Sequence, residues 1–266
     1  MQPLPNFEEH TTPPEKQNDY DQAITETFRR VYKPNINVLP FTKDELVQVC
    51  QDFGLVINNI PDVPYHYRVG RSDLPNEISD TGNWVIQGAG KGKYQFVLLK
   101  REPYIAIPDD LYITAIPEAT PDVVLKYSGT DEQAVLTKIR YNRIVDTFLS
   151  LTAYHLQGHV RSSVEDMGQV EVDELYVGVD ADGKWYVIPI EAKNVGPKER
   201  LGVIQVQQMI LFTKQYYPKL VLKPVGIKLL EDDSLVFVEF DDESELEKIS
   251  VKRYARYKLV RDDINE

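Results

Sequence analysis

The sequence predicts an α/β chain: a mixed sheet flanked by helices, preceded by an α+β region. Three observations carry that prediction. Residues 131–154 have helical spacing of apolar positions, and a hairpin signal follows, with 169–179 and 184–193 joined by Ala181, Asp182 and Gly183. A second helix-like run covers 201–217 and stops at Pro218. Two further strand-like segments, 220–230 and 234–240, flank the turn at Asp232 and Asp233. The order helix, short strand, hairpin, helix, strand, strand belongs to an α/β arrangement with a mixed sheet.

Taken from the start, residues 1–19 are rich in Pro, Glu and Asn and predict a disordered tail. Residues 24–32 are helical in pattern. A better-marked helix starts at Thr42, where Thr42 and Glu45 form a capping box, Leu46, Val49 and Cys50 supply an apolar face, and Gly54 stands where a C-terminal glycine belongs. Residues 55–116 predict strands and turns, including a hairpin in which 84–86 and 94–99 flank the glycine-rich stretch from Gly88 to Gly92. Pro117 and Pro121 mark a linker. The N-terminal α+β region is therefore 20–120 and the core 121–266. Within the core, Val135, Ile139, Val145, Phe148 and Leu149 recur at helical spacing with Arg140 and Arg143 between them. Residues 160–164 predict a short strand, 201–217 an amphipathic helix, and the charged 241–266 a final helix or tail.

Composition bounds the function. The chain has 266 residues, ordinary apolar and charged fractions, and a net charge of -12. Cys50 is the single cysteine, which rules out an intrachain disulfide and a cysteine-based zinc site. No apolar run approaches the roughly 20 residues of a membrane span. No signal-peptide core is evident near the N-terminus, so the expectation is a cytoplasmic protein without a membrane partner. The acidity argues against general nucleic-acid binding, but it is uneven. Residues 151–230 balance 9 basic against 9 acidic residues, whereas 231–266 hold 6 basic and 12 acidic. A local basic cleft remains compatible with an acidic chain, because exposed charges beyond about 10 Å are screened.

The hairpin holds the chemistry. Strand side chains alternate, so Glu191 and Lys193 share a face. A three-residue loop with Gly183 in the left-handed conformation pairs Asp180 with Lys184 and, counting back, sets Asp173 opposite Glu191. Opposed residues point the same way, about 5 Å apart at Cβ. A two-residue loop would instead set Asp173 opposite Ala192 and Glu174 opposite Glu191, and a bulge at Pro189 would shift the pairing again. The three-residue register, and hence Asp173, is preferred. Two neighbouring carboxylates repel unless a cation intervenes. Carboxylate oxygens with retained waters suit Mg²⁺, with Mn²⁺ as a substitute. Glu171 shares the face of Asp173 and is a candidate outer ligand.

Asp173, followed by Glu191-Ala192-Lys193 at the end of the next strand, resembles the PD-(D/E)xK nuclease superfamily, the fold of many type II restriction endonucleases. The resemblance covers about 131–240. Val172 stands where that pattern has proline. The resemblance implies a restriction-endonuclease-like fold, metal held by Asp173 and Glu191, and Lys193 assisting the attacking water. It also implies an acid on the preceding helix, for which Glu132 fits best and Glu165 is the alternative, and a glutamine on the following helix, Gln205 or Gln208. The implied function is Mg²⁺-dependent hydrolysis of phosphodiester bonds in double-stranded DNA by a homodimer, with a restriction endonuclease as first subtype and a junction-resolving or repair nuclease as the alternative. A protein that keeps the nuclease fold and only binds nucleic acid is the competing reading, and an acidic interaction protein the third.

Other features carry less. The Gly88 to Gly92 stretch lacks the Lys-Ser/Thr ending of a P-loop and is better explained as a turn. Arg68, Arg71, Lys91 and Lys93 around it are candidate DNA contacts, as are Arg140 and Arg143, against ordinary solvated charges. His155 and His159 lie four apart without a third zinc ligand. The helix after Thr42 fits either a DNA-reading module or a structural role.

Overall fold

The computed structural model describes residues 18–68, 70, 72–129 and 132–261, with Glu132 as backbone only. Of the predicted tail, residues 1–17 lie outside the described residues, while Asn18 caps the first helix through its side chain and Asp19 is already helical. The N-terminal elements are α1 (Asp19–Val31), β1 (Val38–Thr42), α2 (Lys43–Asp52), α3 (Asp62–Arg68), α4 (Asn76–Ser79), β2 (Asn83–Gly88) and β3 (Lys93–Leu99). The capping box at α2 is present as expected, with Thr42 and Glu45 bonding reciprocally and Gly54 at φ +64° beyond the helix end. The β2–β3 hairpin also forms where expected, inside a three-stranded antiparallel sheet of order β1-β3-β2. Helices α3 and α4 occupy a region expected to hold only strands and turns. Val63 and Tyr67, four apart, bury one face of α3, and Pro64 is tolerated because it stands in the first turn.

The remaining elements are β4 (Ile113–Pro117), α5 (Asp122–Tyr127), α6 (Glu132–Tyr141), α7 (Ile144–Leu149), β5 (Thr152–Val164), β6 (Gly168–Val179), β7 (Trp185–Lys193), α8 (Val203–Tyr216), β8 (Val221–Leu222), β9 (Val225–Leu229), β10 (Leu235–Phe240) and β11 (Val251–Val260). They build an eight-stranded mixed sheet of order β4-β11-β10-β9-β7-β6-β5, with β8 beside β7. The β11–β4, β7–β9 and β7–β8 pairs are parallel and the others antiparallel. Helices α6 and α7 cover one face through Leu136, Ile139, Ile144 and Phe148 against Ile188, Ile190 and Phe237. Helix α8 covers the other, with Val206, Met209 and Ile210 packed among Val172, Leu175 and Val187. No helix among the described residues is long and apolar enough to cross a membrane.

Several expectations are corrected. The helical stretch 131–154 is two helices broken at Arg143, which is left-handed at φ +49°, and it turns into strand at Thr152. The short strand at 160–164 is the end of the 13-residue β5. Helix α8 is buried nearly all round, Gln205, Gln207 and Gln208 included, and is not amphipathic. The last segment forms β11. Its Ala255, Tyr257 and Leu259 alternate onto the α6–α7 core, a period of two that the intervening Arg256 and Lys258 disguise. Pro117 ends β4, which pairs with β11, and Pro121 caps α5, so the supposed linker is a short connection between a strand of the large sheet and a helix.

The N-terminal region is seated on the hairpin and on α8. Arg68 donates through Nη2 to the Gln169 carbonyl at 2.6 Å, Gln87 to the Gln207 side chain at 2.7 Å, and Tyr65 to Glu171 at 2.6 Å. Segment 103–105 runs along the start of α8, with Ile105 N–H donating to the Leu201 carbonyl at 2.8 Å and Val203 N–H to the Pro103 carbonyl at 2.9 Å. The closest approach is at Gly88, where a Cβ atom would lie 1.9 Å from the Met167 carbonyl oxygen and 2.6 Å from Arg68 Nη1. Gly88→Ala is therefore expected to lower the urea unfolding free energy by about 1–3 kcal/mol. An unchanged midpoint would mean that this contact is not what seats the N-terminal region.

Candidate active site

The turn between β6 and β7 sets the register of the site. Gly183 adopts φ +78°, Asp180 N–H donates to the Lys184 carbonyl at 3.2 Å, and the Asp180 carboxylate accepts from Asp182 N at 3.0 Å and Lys184 N at 2.9 Å. This is the three-residue closure. The ladder runs without a shift from Val179 opposite Trp185 to Glu174 opposite Ile190, with Pro189 opposite Leu175. The ladder ends there, and the next residues on the two strands are Asp173 and Glu191. There Asp173 Oδ2 accepts from Ala192 N at 2.8 Å. The two-residue register and the bulge at Pro189 do not occur.

Asp173, Glu191 and Lys193 all line one cleft of about 220 Å³, on the side of the sheet covered by α8. Lys193 Nζ lies 3.0 Å from Glu191 Oε1. Gln205 donates to the same carboxylate oxygen and accepts from Gly202 N at 3.1 Å, which fixes its amide. Gln208 lines the cleft too. It is 2% exposed, and its amide nitrogen has no partner among the described residues. Both glutamines inferred by resemblance therefore reach the site, Gln205 through Glu191 and Gln208 directly at the cleft wall.

Glu171 also lines the cleft, but it is engaged: Arg161 lies 3.1 Å away, the Tyr65 hydroxyl donates at 2.6 Å, and His159 is 3.8 Å distant. Burial pushes its carboxyl up, and the bonds from Tyr65 and Arg161 outweigh that and hold it below the usual range. Asp173 is the opposite case. Burial raises its carboxyl above the ordinary value and Glu171 adds to the rise, while the Ala192 N–H and Lys193 only partly offset them. Such a carboxylate is short of positive charge, and a divalent cation beside it supplies what is missing. Among the described residues no three His, Cys, Asp or Glu side chains form a metal-holding group. Mg²⁺ does not need one, since it is commonly bound by one or two carboxylates and keeps several waters. Asp173 and Glu191 fit that requirement.

The other candidates lie elsewhere. Glu174, the alternative to Asp173, points to the opposite face, fully buried, and pairs with Arg140 and with His155 Nε2 at 3.2 Å. Arg140 is thus drawn into the protein instead of reaching outward, and Arg143 pairs with Asp146. His155 and His159 serve different carboxylates, Glu174 and Glu171, which ends the idea of a shared zinc. The backbone of Glu132 begins α6, on the face away from α8, and its side chain lies outside the described residues, as does Arg71. Glu165 is in the β5–β6 turn and does not line the cleft. Arg68 is buried and bonded to backbone carbonyls. Lys91 and Lys93 are exposed on the β2–β3 hairpin.

Three cleft residues escape the sequence reading, Gly70, Arg161 and Glu199, and His159, considered there only with His155 for zinc, lines the cleft as well. Arg161 opposite Glu171 is a cross-strand charge pair that alternation could have found had β5 been read at full length. Gly70 and Glu199 arrive from loops and carry no local signal. In comparisons with known proteins, the chain matches no family model and no curated sequence.

The raised Asp173 carboxyl gives a stability prediction. Its contribution is fully present below the ordinary value of 3.8 and is lost as pH rises through the raised folded value, because there the folded state binds the proton more tightly than the unfolded state. Asn at this position keeps the acceptor for Ala192 N and cannot ionise. In EDTA, Asp173→Asn is expected to melt above the native protein at about pH 7, with the difference shrinking toward about pH 4. A lower melting temperature at neutral pH would contradict this account.

Proposed function

We propose that the chain is a Mg²⁺-dependent endonuclease that hydrolyses phosphodiester bonds in double-stranded DNA, on the PD-(D/E)xK plan of the restriction-endonuclease-like fold. One observation carries the reading: Asp173 and Glu191, from the two adjacent strands of one hairpin, open with Lys193 onto the same cleft. Carboxylates for a metal with an ammonium at its side suit hydrolysis of a charged ester, where negative charge builds on phosphoryl oxygens.

In this reading Asp173 and Glu191 hold the metal, with Mn²⁺ as a substitute. A bound divalent ion supplies Lewis acidity, lowering the pKa of water and neutralising charge on the scissile phosphate. Lys193 orients the attacking water and stabilises the developing charge. Gln205 keeps the Glu191 carboxylate in position, and the open amide of Gln208 is placed to donate to a phosphate oxygen. Among the described residues, exposed Lys91 and Lys93 remain candidates for backbone contacts. A restriction enzyme acting as a homodimer is the subtype we favour, since a palindromic target mirrors two-fold symmetry.

Incubation with plasmid and genomic DNA, in Mg²⁺ and in EDTA, tests this. Discrete fragments that need Mg²⁺ are expected, and Lys193→Ala is expected to reduce the rate about a hundredfold or more. Uniform degradation would indicate a repair or non-specific nuclease. DNA that is bound but never cut, with or without Mg²⁺, would indicate a binding protein on the nuclease fold and would overturn the catalytic reading.

A further inference from the structure

The N-terminal region builds a second pocket against the cleft. It encloses about 290 Å³, and Gly70 and Gln205 line both cavities, so the two share a wall. Its walls carry the chemistry of a flat, uncharged heterocycle. The Arg200 guanidinium lies 3.6 Å over the centroid of the Tyr104 ring. Asp73 accepts from the Tyr104 hydroxyl at 2.6 Å and from Arg200, locking both in place and cancelling the positive charge. Asn76 and Asn83 line the same pocket, and among the described residues neither amide side chain has a hydrogen-bond partner.

A side-chain amide presents a donor beside an acceptor, the complement of a nucleobase edge. Aromatic rings and guanidinium planes stack on unpaired bases, and DNA-acting enzymes that read a single base extrude it into such a pocket. A free phosphate is a poor match: of the two arginines lining the pocket, Arg200 is neutralised by Asp73, and Arg68 is buried with its guanidinium bonded to the Met167 and Gln169 carbonyls.

We propose that this pocket receives one nucleobase unstacked from DNA, with Asn76 and Asn83 reading its hydrogen-bonding edge and Arg200 on Tyr104 forming the stacking plane. The proposal rests on the nuclease reading in one respect: Gln205 joins the pocket to Glu191, so a base held here would set which phosphate enters the cleft.

The chain has 2 tryptophans. Trp185 is exposed at the hairpin end and Trp84 lines the pocket, so in Trp185→Phe the remaining fluorescence reports on the pocket. That protein, in EDTA, is titrated with each of the four deoxynucleoside 5′-monophosphates up to about 10 mM. Saturable quenching by at least one of them is expected. Asn83→Leu should weaken it about tenfold, and Asn76→Ala, at an exposed position, should weaken it with circular dichroism unchanged. No saturable change with any nucleotide, or unaltered affinity in both variants, overturns the proposal. Lys193→Ala should slow cleavage about a hundredfold or more and leave the quenching intact. Cleavage without base binding therefore removes the pocket alone, and base binding without cleavage removes the nuclease alone.

Discussion

The left-handed conformation of Gly183 is the constraint on which the site depends. A residue at φ +78° closes the β6–β7 turn in three residues, and the loop length fixes every cross-strand pair above it. One residue fewer would turn Glu174 toward Glu191 and Asp173 toward Ala192. The carboxylate of Asp180 reinforces the closure by accepting two turn N–H groups. The geometry seven residues away, where Asp173 meets Glu191, is thus decided at the tip of the hairpin, far from the cleft itself.

The pleat then gives two adjacent acids opposite fates. Glu174 faces α6 and finds Arg140 and His155, so its charge is compensated inside the fold. Asp173 faces the cleft and finds one backbone N–H and the field of Lys193, which do not offset its burial. Such a carboxylate is a cost to the fold, because it is partly desolvated and its charge only partly compensated. Lys193 and Gln205 both converge on Glu191, which leaves Asp173 as the less satisfied partner. The proposed metal site is the point where this imbalance would be relieved.

The N-terminal region completes the surroundings. Tyr65 ties up Glu171, Arg68 clamps the start of β6, and segment 103–105 holds the start of α8, the helix from which Gln205 and Gln208 project. Gly88 allows the two regions to meet at van der Waals distance. The cleft is therefore a joint product of both halves of the chain, and the adjoining pocket lined by Asn76, Asn83 and Tyr104 exists only because they are packed together.

Local chemistry determined a definite part of this by sequence alone. The capping box at Thr42, the hairpin around Gly183, the helix ending before Pro218, and the shared face of Asp173, Glu191 and Lys193 are all short-range consequences of side-chain alternation and turn preference. Tertiary structure decided the rest. Residues 251–260 become a strand because a neighbouring β10 edge and an apolar core accept their alternate side chains, which no local charge pattern announces. Arg140 turns inward because Glu174 lies buried behind the sheet, and Gly70, His159 and Arg161 reach the cleft through contacts between segments far apart in sequence. Period and turn geometry are written in neighbouring residues, whereas the partner of a charge and the wall of a pocket depend on which distant surfaces the packed chain brings together.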